Sequence, residues 1–482
     1  MERYTSNGLA YNKQWKVLLE KLLRSQDNIC NIFLLIRSKK NTNAEDRVTQ
    51  HIFDQPLFEV LKASNPNFMR KIIVVPGDLL KPQLGISDHD VRILKNTINI
   101  VYHCAASLRM NATLKENVNC NVTTVMQLLE LCREMRHLKS VVIVSTTYSH
   151  SPYPLIPEAI NKSDFQPDLI LKMCDEMDDK TLREITPVLL NGHSDTYTFS
   201  KLLMENMLLN HTDLPIVLFR PAIVTPSLRE PIYGWVDTFS GVAGLGFAIG
   251  SGFLRSLCLQ NNAMANLVPV DMCASALICS AWHGTRQTQR DKIAVYNYAC
   301  DKHKSTVQVL ALAMYGSQLK LNCSIWKQCV IITQYKTIYN LSRLCLERIP
   351  AFFSDIYLKF SGSKLRLQKI YNEKLHPFID VLSFYFSNGW EMEEGNTDAM
   401  WNCLTKSEKE KYFFDTNSLD LNELADATCF GIKVYLAKEK IEDNYKAVRK
   451  QQIFTIAHYT LIFLIIGGIV WLLCTIGRCF YE

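Results

Sequence analysis

The sequence predicts an α/β fold built on a doubly wound parallel sheet, followed by a mainly helical C-terminal domain and a C-terminal transmembrane helix. Short β-branched runs alternate with helical patterns in the N-terminal half, polar residues follow those runs, and the last stretch of the chain is uncharged. Such alternation is typical of a parallel sheet with helices on both faces. It implies a Rossmann-like arrangement, in which ligands bind beyond the carboxyl ends of the strands.

Length and composition narrow the class of protein. At 482 residues the chain exceeds the usual single domain of roughly 100–200 residues, so we expect more than one domain. The net charge of +6 is modest and its basic residues are spread along the chain, so no nucleic-acid partner is expected. The 16 cysteines form no CxxC pair, which indicates reduced cysteines in a cytosol-facing protein and no metal site.

The elements follow one another as a βαβ series. An amphipathic helix is predicted over Lys16–Arg24 and another helix over Val125–Met135. Strands are predicted at five short apolar runs: Asn31–Arg37, Lys71–Pro76, Ile98–His103, Ser140–Ser145 and Pro215–Arg220.

Residues just past the strand ends are candidates for binding a dinucleotide. Arg37 ends its strand where the adenosine ribose would lie, and an arginine there can hold a 2′-phosphate through two hydrogen bonds, which favours NADPH over NADH. An ordinary surface charge is the alternative. Asp78, between Gly77 and Leu79, can accept the adenine amino group, although alone it would be a turn residue. The small Ala105 suits a place where the backbone must approach a cofactor.

A second group of residues can perform acid chemistry. Tyr197 and Lys201 are four residues apart on a predicted helix and therefore share one face. A tyrosine hydroxyl can protonate a developing alkoxide, and a neighbouring ammonium lowers the tyrosine pKa and can hold a cofactor ribose. Thr146, with Ser145 as the alternative, follows a predicted strand upstream. By itself the Tyr-x-x-x-Lys spacing is a weak signal, since a solvated lysine beside a half-buried ring gives the same pattern.

Motifs spread over nearly the whole chain are shared with one family. They are Leu34–Arg37, Gly77–Leu79, Val144–Thr146, Thr196–Lys201, Arg220–Val224, Glu230–Asp237, Leu267–Asp271, Phe386–Asn388 and Gly431–Leu436. On these motifs the chain resembles the fatty acyl-CoA reductases of insect type, which are extended short-chain dehydrogenases/reductases with a C-terminal "sterile" domain.

The resemblance implies an activity and a domain plan. The activity is the NADPH-dependent reduction of a long-chain fatty acyl-CoA to a primary alcohol and CoA, with Tyr197 as proton donor, Lys201 and Thr146 assisting, and Arg37, Asp78, Leu79, Ala105 and Lys201 binding the cofactor. The implied domains are a reductase domain at 1–285, a helical linker at 286–360, a sterile domain at 361–450 and a transmembrane helix at 453–477.

The N-terminus departs from the family pattern. The glycine-rich phosphate loop, TGxxGFxG, aligns with Gly8–Trp15, where its three glycines are replaced by Leu9, Asn12 and Trp15. The first strand of the sheet is expected to be missing as well, because the polar Met1–Asn7 cannot form a buried central strand. A smaller departure is Thr124, where the family usually has glycine. A tryptophan at the third glycine position should block the pyrophosphate.

The C-terminal stretch predicts a membrane anchor. Ile453–Gly477 contains no charged residue in 25 positions, which as a helix spans about 37 Å, more than the roughly 30 Å of a hydrocarbon core. A buried core helix is the alternative. Lys446, Arg449 and Lys450 precede the stretch, so the body should lie in the cytosol, on the endoplasmic reticulum or the peroxisome.

Three functions stay open at this point. The first is the acyl-CoA reductase, favoured by Thr146, Tyr197 and Lys201. The second is a non-catalytic or truncated relative, favoured by the altered phosphate loop. The third is a membrane-bound sterol dehydrogenase of the same superfamily, which would leave the C-terminal module unexplained. The sequence leaves the oligomeric state and the acyl chain length open.

Overall fold

The computed structural model describes residues 14–39, 42–260, 264–286, 292–300, 305–306 and 320–481. Its strands, in chain order, are β1 Ile32–Ile36, β2 Ile72–Pro76, β3 Ile100–His103, β4 Ser140–Val144, β5 Leu155–Ile156, β6 Ile216–Pro221, β7 Ile223–Thr225, β8 Ser256–Cys258, β9 Met264–Ala265, β10 Leu267–Pro269, β11 Ala294–Tyr298, β12 Ser305–Thr306, β13 Ile331–Thr333 and β14 Glu391–Met392.

Helices separate the strands and make up most of the C-terminal part. They are α1 Gln14–Ser25, α2 Ala44–Asp46, α3 Glu59–Ser64, α4 Asp88–Thr97, α5 Leu114–Val118, α6 Thr124–Arg133, α7 Pro167–Glu176, α8 Asp179–Leu189, α9 Thr196–Leu208, α10 Gly241–Gly250, α11 Val270–Gly284, α12 Lys336–Arg343, α13 Ile349–Phe360, α14 Leu367–Ile370, α15 His376–Ser387, α16 Gly395–Asn402, α17 Lys406–Lys411, α18 Leu421–Gly431 and α19 Asn444–Tyr481.

The central sheet is parallel, as predicted, and the structure presents it in two parts. One part has the strand order β11-β6-β4-β3, and the other is the pair β1-β2. Within the described ranges, β1 and β3 each pair on one side only. The predicted absence of a first strand concerns residues before Gln14, which lie outside the described residues.

Alternate residues of the sheet face two separate cores, which is the doubly wound arrangement. In β4, Val142 and Val144 belong to a core that includes α1 and α11, whereas Val141 and Ile143 belong to a core that includes α5, α6, α7 and α9. Both faces are therefore covered by helices, and this explains why the strand reads as a continuous apolar run rather than as an alternating one. The Rossmann-like fold is confirmed.

The C-terminal part packs directly against the sheet domain. Strand β14 pairs in parallel with β5, and the Glu158 carboxylate accepts hydrogen bonds from the Asn297 amide on β11 at 3.1 Å and from the Thr397 amide on α16 at 3.3 Å. Burial raises the pKa of Glu158 to about 7, against the lowering effect of these hydrogen bonds. This carboxyl group therefore joins the two regions of the chain.

Helix α19 is long and apolar enough to cross a membrane by length and composition. None of its most apolar window is buried inside the protein, and Phe463 and Trp471 are 76% and 69% exposed. A core helix would bury those side chains. The helix therefore fits the predicted anchor better than it fits the alternative of a core helix.

Candidate active site

The candidate site is organised by α9, all of whose side chains are buried. Asp195 caps the helix, since its carboxylate accepts a hydrogen bond from the Thr198 amide at 2.9 Å. Tyr197 and Lys201 lie one turn apart on this helix and are only 8% and 1% exposed. The structure therefore removes both predicted catalytic side chains from bulk water.

Lys201 reaches the carboxyl end of the central strand. Its Nζ donates a hydrogen bond to the Val144 carbonyl at 2.8 Å, which places the ammonium two residues before Thr146. Burial lowers the pKa of Lys201 to about 8, although Cys120, Glu205 and Cys104 oppose the shift. The side chain is thus a cation that the surrounding protein stabilises poorly and that a polar ligand group could stabilise further.

The Tyr197 hydroxyl is held in its protonated form. Burial raises the pKa of Tyr197, and the carboxylates of Asp195 and Glu205 add to the effect. The net direction is opposite to the one expected from Lys201 alone. A neutral phenol is nevertheless the form that a proton donor requires before the reaction.

Thr146 and Ser145 have different hydrogen-bond partners. The Ser145 hydroxyl donates to Glu205 Oε1 at 2.5 Å, whereas Thr146 Oγ1 accepts a hydrogen bond from the Tyr148 amide at 3.3 Å. The Ser145 proton is therefore committed, and the Thr146 hydroxyl can still donate to another acceptor. This difference favours Thr146 over Ser145 as the residue that would contact a substrate oxygen.

Sequence reasoning missed Glu205, the centre of a buried polar network. Glu205 and Arg220 are both fully buried and form a salt bridge of 2.6 Å, and Ser149 donates to Glu205 at 2.8 Å. Burial would raise the pKa of Glu205, but Arg220 and His150 hold it below its ordinary value. Glu205 lies four residues after Lys201, so the helical spacing already placed it on the same face.

Asn121 is a second residue that sequence reasoning missed. Its side-chain amide donates to Ser200 Oγ on α9 at 2.8 Å, and its carbonyl oxygen accepts from the Ser107 amide at 2.9 Å. Ser200 in turn donates to the Tyr197 carbonyl at 2.7 Å. Asn121 therefore connects the loop after β3 to the turn of α9 that carries Tyr197.

The predicted adenosine-binding residues lie at the ends of β1, β2 and β3. Arg37 directly follows β1 and is partly exposed. Burial raises the pKa of Cys120 to about 11, while Lys201 and Arg37 both lower it. Ala105 follows β3 and is half-buried.

The turn after β2 holds Asp78 and Leu79. Gly77 is required here, because a Cβ at this position would lie 2.5 Å from Leu35 Cδ1 and 2.8 Å from the Leu84 carbonyl. The Asp78 carboxylate accepts from the Leu80 amide at 3.2 Å. Thr124, the smaller departure from the family pattern, donates to the Leu79 carbonyl at 3.1 Å. That hydroxyl gives the threonine a local role at the start of α6.

The chemistry of His103 and Lys201, near the ends of β3 and β4, fits a nicotinamide dinucleotide. The buried His103 Nε2, at the end of β3, has no hydrogen-bond partner among the described residues, and burial lowers the pKa of His103 to about 3. A neutral imidazole and the desolvated Lys201 can both bond to a polar ligand. The segment aligned with the phosphate loop lies outside the described residues as far as Lys13, and Trp15 is packed against the core in the first turn of α1.

An aromatic cluster joins two residues of the C-terminal part to Tyr148, which follows the candidate residue Thr146. The Tyr148 ring meets Tyr385 and Trp390 edge to face, with ring centroids 4.8 Å and 5.2 Å apart. The Tyr385 hydroxyl donates to the capping carboxylate Asp195 at 2.5 Å. Helix α15 therefore contributes both apolar surface beside Thr146 and a hydrogen bond to the start of α9.

The shared motif Glu230–Asp237 is held to α1 by ion pairs. Glu230 accepts hydrogen bonds from Lys21 at 2.7 Å and from Arg24 at 2.6 Å, and Asp237 pairs with Lys16 at 2.6 Å. The described residues contain no cluster of His, Cys, Asp or Glu that could hold a metal ion.

Two family models match the chain. A model described as male sterility protein, which covers an NAD-binding domain, matches residues 16–277. The Sterile model, with the same description, matches residues 346–439.

The sequence is similar to curated relatives over most of its length. It is 30% identical to fatty acyl-CoA reductase wat of Drosophila melanogaster over 96% of this chain and 90% of the relative. It is 32% identical to fatty acyl-CoA reductase 1 of Mus musculus over 90% of this chain and 84% of the relative.

Solved structures share the fold at low identity. The terminal R domain of the myxalamid PKS-NRPS pathway superposes with a TM-score of 0.56 at 18% identity, covering 89% of both chains. The reductase domain of a nonribosomal peptide synthetase from Mycobacterium tuberculosis gives a TM-score of 0.55 at 15% identity, covering 89% of this chain and 93% of that one. These similarities concern the reductase-domain fold.

Proposed function

This chain belongs to the fatty acyl-CoA reductase family, and from that membership we propose that it reduces a long-chain fatty acyl-CoA to the primary alcohol and free CoA, using NADPH. The observation that best supports this activity is the hydrogen bond from Lys201 to Val144 at the end of β4, two residues before Thr146. Tyr148, whose amide donates to Thr146, belongs to an aromatic cluster with Tyr385 and Trp390. An acyl chain needs an apolar surface next to the proton donor, and the C-terminal part supplies one.

The residues of the chain have separate tasks in this proposal. Thr146 donates a hydrogen bond to the carbonyl oxygen of the substrate and orients it. Tyr197 donates its proton to the oxygen that becomes the alcohol hydroxyl. Lys201 stabilises the phenolate that remains, because an adjacent ammonium favours the charged form. The reduction takes four electrons, so two successive nicotinamides, when bound, would supply one hydride each, with CoA leaving as the free thiol between the aldehyde-forming and the alcohol-forming steps.

NADPH is proposed over NADH because of Arg37. Its guanidinium stands at the end of β1, and Lys39 follows two residues later. A 2′-phosphate there would gain charge-assisted hydrogen bonds that a ribose hydroxyl cannot provide. Asp78, Leu79 and Ala105 would hold the adenosine, and Lys201 the ribose next to the nicotinamide.

A second candidate function is a non-catalytic relative that binds acyl-CoA without turnover. The specific observation in its favour is Trp15, which occupies the third glycine position of the phosphate loop and is packed against the core. The third possibility, a sterol dehydrogenase, does not explain the match of residues 346–439 to the Sterile model.

The remaining proposals concern the organisation of the chain. We propose a reductase domain at 1–285 that also takes in β11 as the last strand of its sheet, a linker over the rest of 286–360, a sterile domain at 361–450 and a transmembrane helix at 453–477. We propose further that the body of the protein lies on the cytosolic side of an endoplasmic reticulum or peroxisomal membrane, with α19 as its anchor. The exposed apolar surface of α19 supports the anchor. Adducts between α19 and a phospholipid with a photoactivatable acyl chain test this anchor.

The activity is tested with the full chain in membranes. Microsomes that express it are supplied with acyl-CoA of graded chain length and with either NADPH or NADH, and alcohol and free CoA are quantified by mass spectrometry. We expect alcohol and CoA in equal amounts with NADPH. Retention of acyl-CoA without any alcohol would favour the non-catalytic relative, and failure to retain acyl-CoA would contradict both candidates.

A further inference from the structure

Helices α12 and α13 have their apolar side chains on the outside. In α13, Ile349, Phe352, Phe353, Ile356, Tyr357 and Phe360 are all exposed, and Phe353, Tyr357 and Phe360 reach 64%, 73% and 86% exposure. Their spacing of three and four residues forms one continuous stripe along the helix. In α12, Ile338 and Leu341 are exposed at 48% and 60%, and Leu344 follows at 44%. We call these nine side chains the apolar face.

The inward sides of the same helices bury few apolar side chains, of which Ala351 and Tyr339 are the buried ones, and they carry polar contacts instead. Glu347, between the two helices, is 1% exposed and accepts hydrogen bonds from the Arg255 and Ser256 amides at 2.8 Å and 3.0 Å. Asp355 on α13 accepts from the Leu367 and Gln368 amides at 2.5 Å and 3.0 Å. A helix on a water-exposed surface buries its apolar stripe and exposes its polar one. The arrangement here is the reverse, and an exposed apolar patch of this kind marks an interaction surface.

The apolar face lies close to the start of the anchor helix. Trp326 stacks on Phe454 of α19 with ring centroids 5.8 Å apart, and the Lys327 ammonium lies 4.0 Å above the ring of Tyr459. Arg255, whose amide donates to Glu347, also lies over Trp326 at 5.7 Å. Arg255 and Trp326 thus connect Glu347, between α12 and α13, to the first apolar turns of α19.

Exposed cations lie in and next to the segment that carries the apolar face. They are Lys336, Arg348, Lys359 and Lys364, while Lys369 further on pairs with Glu373. A second copy of the chain would bring like charges together across a two-fold interface, which is unfavourable. An anionic lipid surface attracts such cations, while aromatic and aliphatic side chains enter the boundary between headgroups and acyl chains.

We propose that α12 and α13 lie in the membrane interface, with the apolar face inserted among the lipids as a second membrane contact beside the α19 anchor. The occupant of this surface is the bilayer itself. The contact would hold the body of the protein in a fixed orientation on the membrane rather than leave it tethered by one helix. This inference rests on the proposed anchoring by α19.

The test uses the full chain in vesicles of phosphatidylcholine and phosphatidylserine that contain a phospholipid with a photoactivatable group in its acyl chain. After illumination and proteolysis, lipid adducts are located by mass spectrometry. We expect adducts on peptides from 335–365 as well as on α19. Adducts on α19 alone would overturn this proposal and leave the anchor intact, whereas their absence from both regions would contradict the anchor too.

A matched pair of variants makes the test specific. Phe353→Glu with Phe360→Glu should lower the adduct yield on α12 and α13 by about tenfold or more and leave the yield on α19 unchanged, because carboxylates are strongly disfavoured among acyl chains. Leu169→Glu with Val188→Glu changes two apolar side chains that are 55% and 79% exposed on α7 and α8, and it should change neither yield. If lipid adducts are missing from α13 and a separate bifunctional protein crosslinker joins two copies of the chain through α13, a second copy covers this surface and the proposal is overturned.

Discussion

At the scale of single residues, the decisive group is the Tyr197 hydroxyl, which burial keeps protonated. Replacing it by phenylalanine removes the proton donor and leaves the packing of the ring unchanged. We predict that Tyr197→Phe lowers alcohol formation by about 10²–10⁴-fold, with an unchanged thermal unfolding temperature. Alcohol production from acyl-CoA and thermal unfolding in detergent provide the two measurements. Turnover at the rate of the unaltered chain would remove Tyr197 from the mechanism.

Lys201 is predicted to decrease stability while it supports activity. Its pKa in the folded protein, about 8, lies below the ordinary value of 10.5, so between these values the unfolded state binds more protons and stability rises with pH. Below about pH 8 the cost of burying the cation is fully present. Lys201→Met should therefore raise the free energy of unfolding at pH 7 by on the order of 1–3 kcal/mol, after the loss of the hydrogen bond to Val144, and abolish turnover.

Lys201 should also make the activity depend on pH, and an exposed lysine serves as the control. The activity of the unaltered chain should fall as the pH rises above about 8, because the cationic form of Lys201 is lost there. Lys406→Met, at an exposed lysine, should change neither stability nor activity. A variant at Lys201 that unfolds more easily than the unaltered chain would contradict the assigned cost of burial.

Arg37 determines the choice of cofactor in our proposal. Arg37→Ala removes the cation that would pair with a 2′-phosphate, and NADH has no such phosphate. We predict that the KM for NADPH rises by about tenfold or more while the KM for NADH changes little, since a charge-assisted hydrogen bond contributes roughly 1.5–3 kcal/mol. Equal losses with both cofactors would mean that Arg37 supports the fold rather than the phosphate.

At the scale of elements, α9 is fastened to β6 by the Glu205–Arg220 salt bridge at the base of the site. Removing one partner leaves the other charge buried without compensation, which costs about 3–5 kcal/mol. We predict that Glu205→Ala and Arg220→Ala each reduce stability by that amount, and that the double variant is not less stable than either single one. Chemical unfolding of the three variants measures the coupling, and strictly additive losses would contradict it.

The sequence predicted those elements whose physical signal is local. The apolar run Ser140–Ser145 and the amphipathic pattern of Lys16–Arg24 became β4 and α1 within one or two residues at their ends. The edge strand β11 was not predicted, because its mixed sequence Ala294–Tyr298 is buried only through pairing with β6. The site residues could be chosen by their position after strand ends, but the partners of Glu205 and the hydrogen bond from Tyr385 to Asp195 depend on contacts between distant segments.

The apolar face of α12 and α13 likewise could not be predicted from local sequence patterns. Its spacing is that of an ordinary amphipathic helix, and the sequence alone cannot tell which side faces the protein. Which side of the helices faces the protein is decided by buried polar contacts such as those of Glu347. Its partners, the amides of Arg255 and Ser256 at the start of β8, are 92 and 91 residues away in the chain.

At the scale of the whole molecule, the parallel strands of the central sheet form two separate parts, and a further strand between them would make one continuous sheet. Within the described residues, β1 and β3 each have one unpaired edge, and a strand leading into α1 that paired with both edges would stand between them. A parallel strand there would join the two parts, and right-handed crossovers would connect it to its neighbours. The loop between that strand and α1 would then stand at the helix N-terminus, where a pyrophosphate binds.

Chimeras with a new N-terminal segment test whether a strand and a phosphate loop fit before α1. We expect the chain as printed to bind NADPH weakly and to form alcohol slowly, because Trp15 hinders the approach of the pyrophosphate. A chimera that carries an apolar strand and the TGxxGFxG loop in place of Met1–Trp15 should gain both NADPH binding and alcohol formation. A second chimera with the same strand but alanine at the three glycines should close the sheet without binding phosphate, and so gain thermal stability alone. NADPH titration, alcohol yield and thermal unfolding on matched membranes separate these outcomes. Equal NADPH affinity and alcohol yield in the printed chain and the first chimera would mean that another segment holds the pyrophosphate.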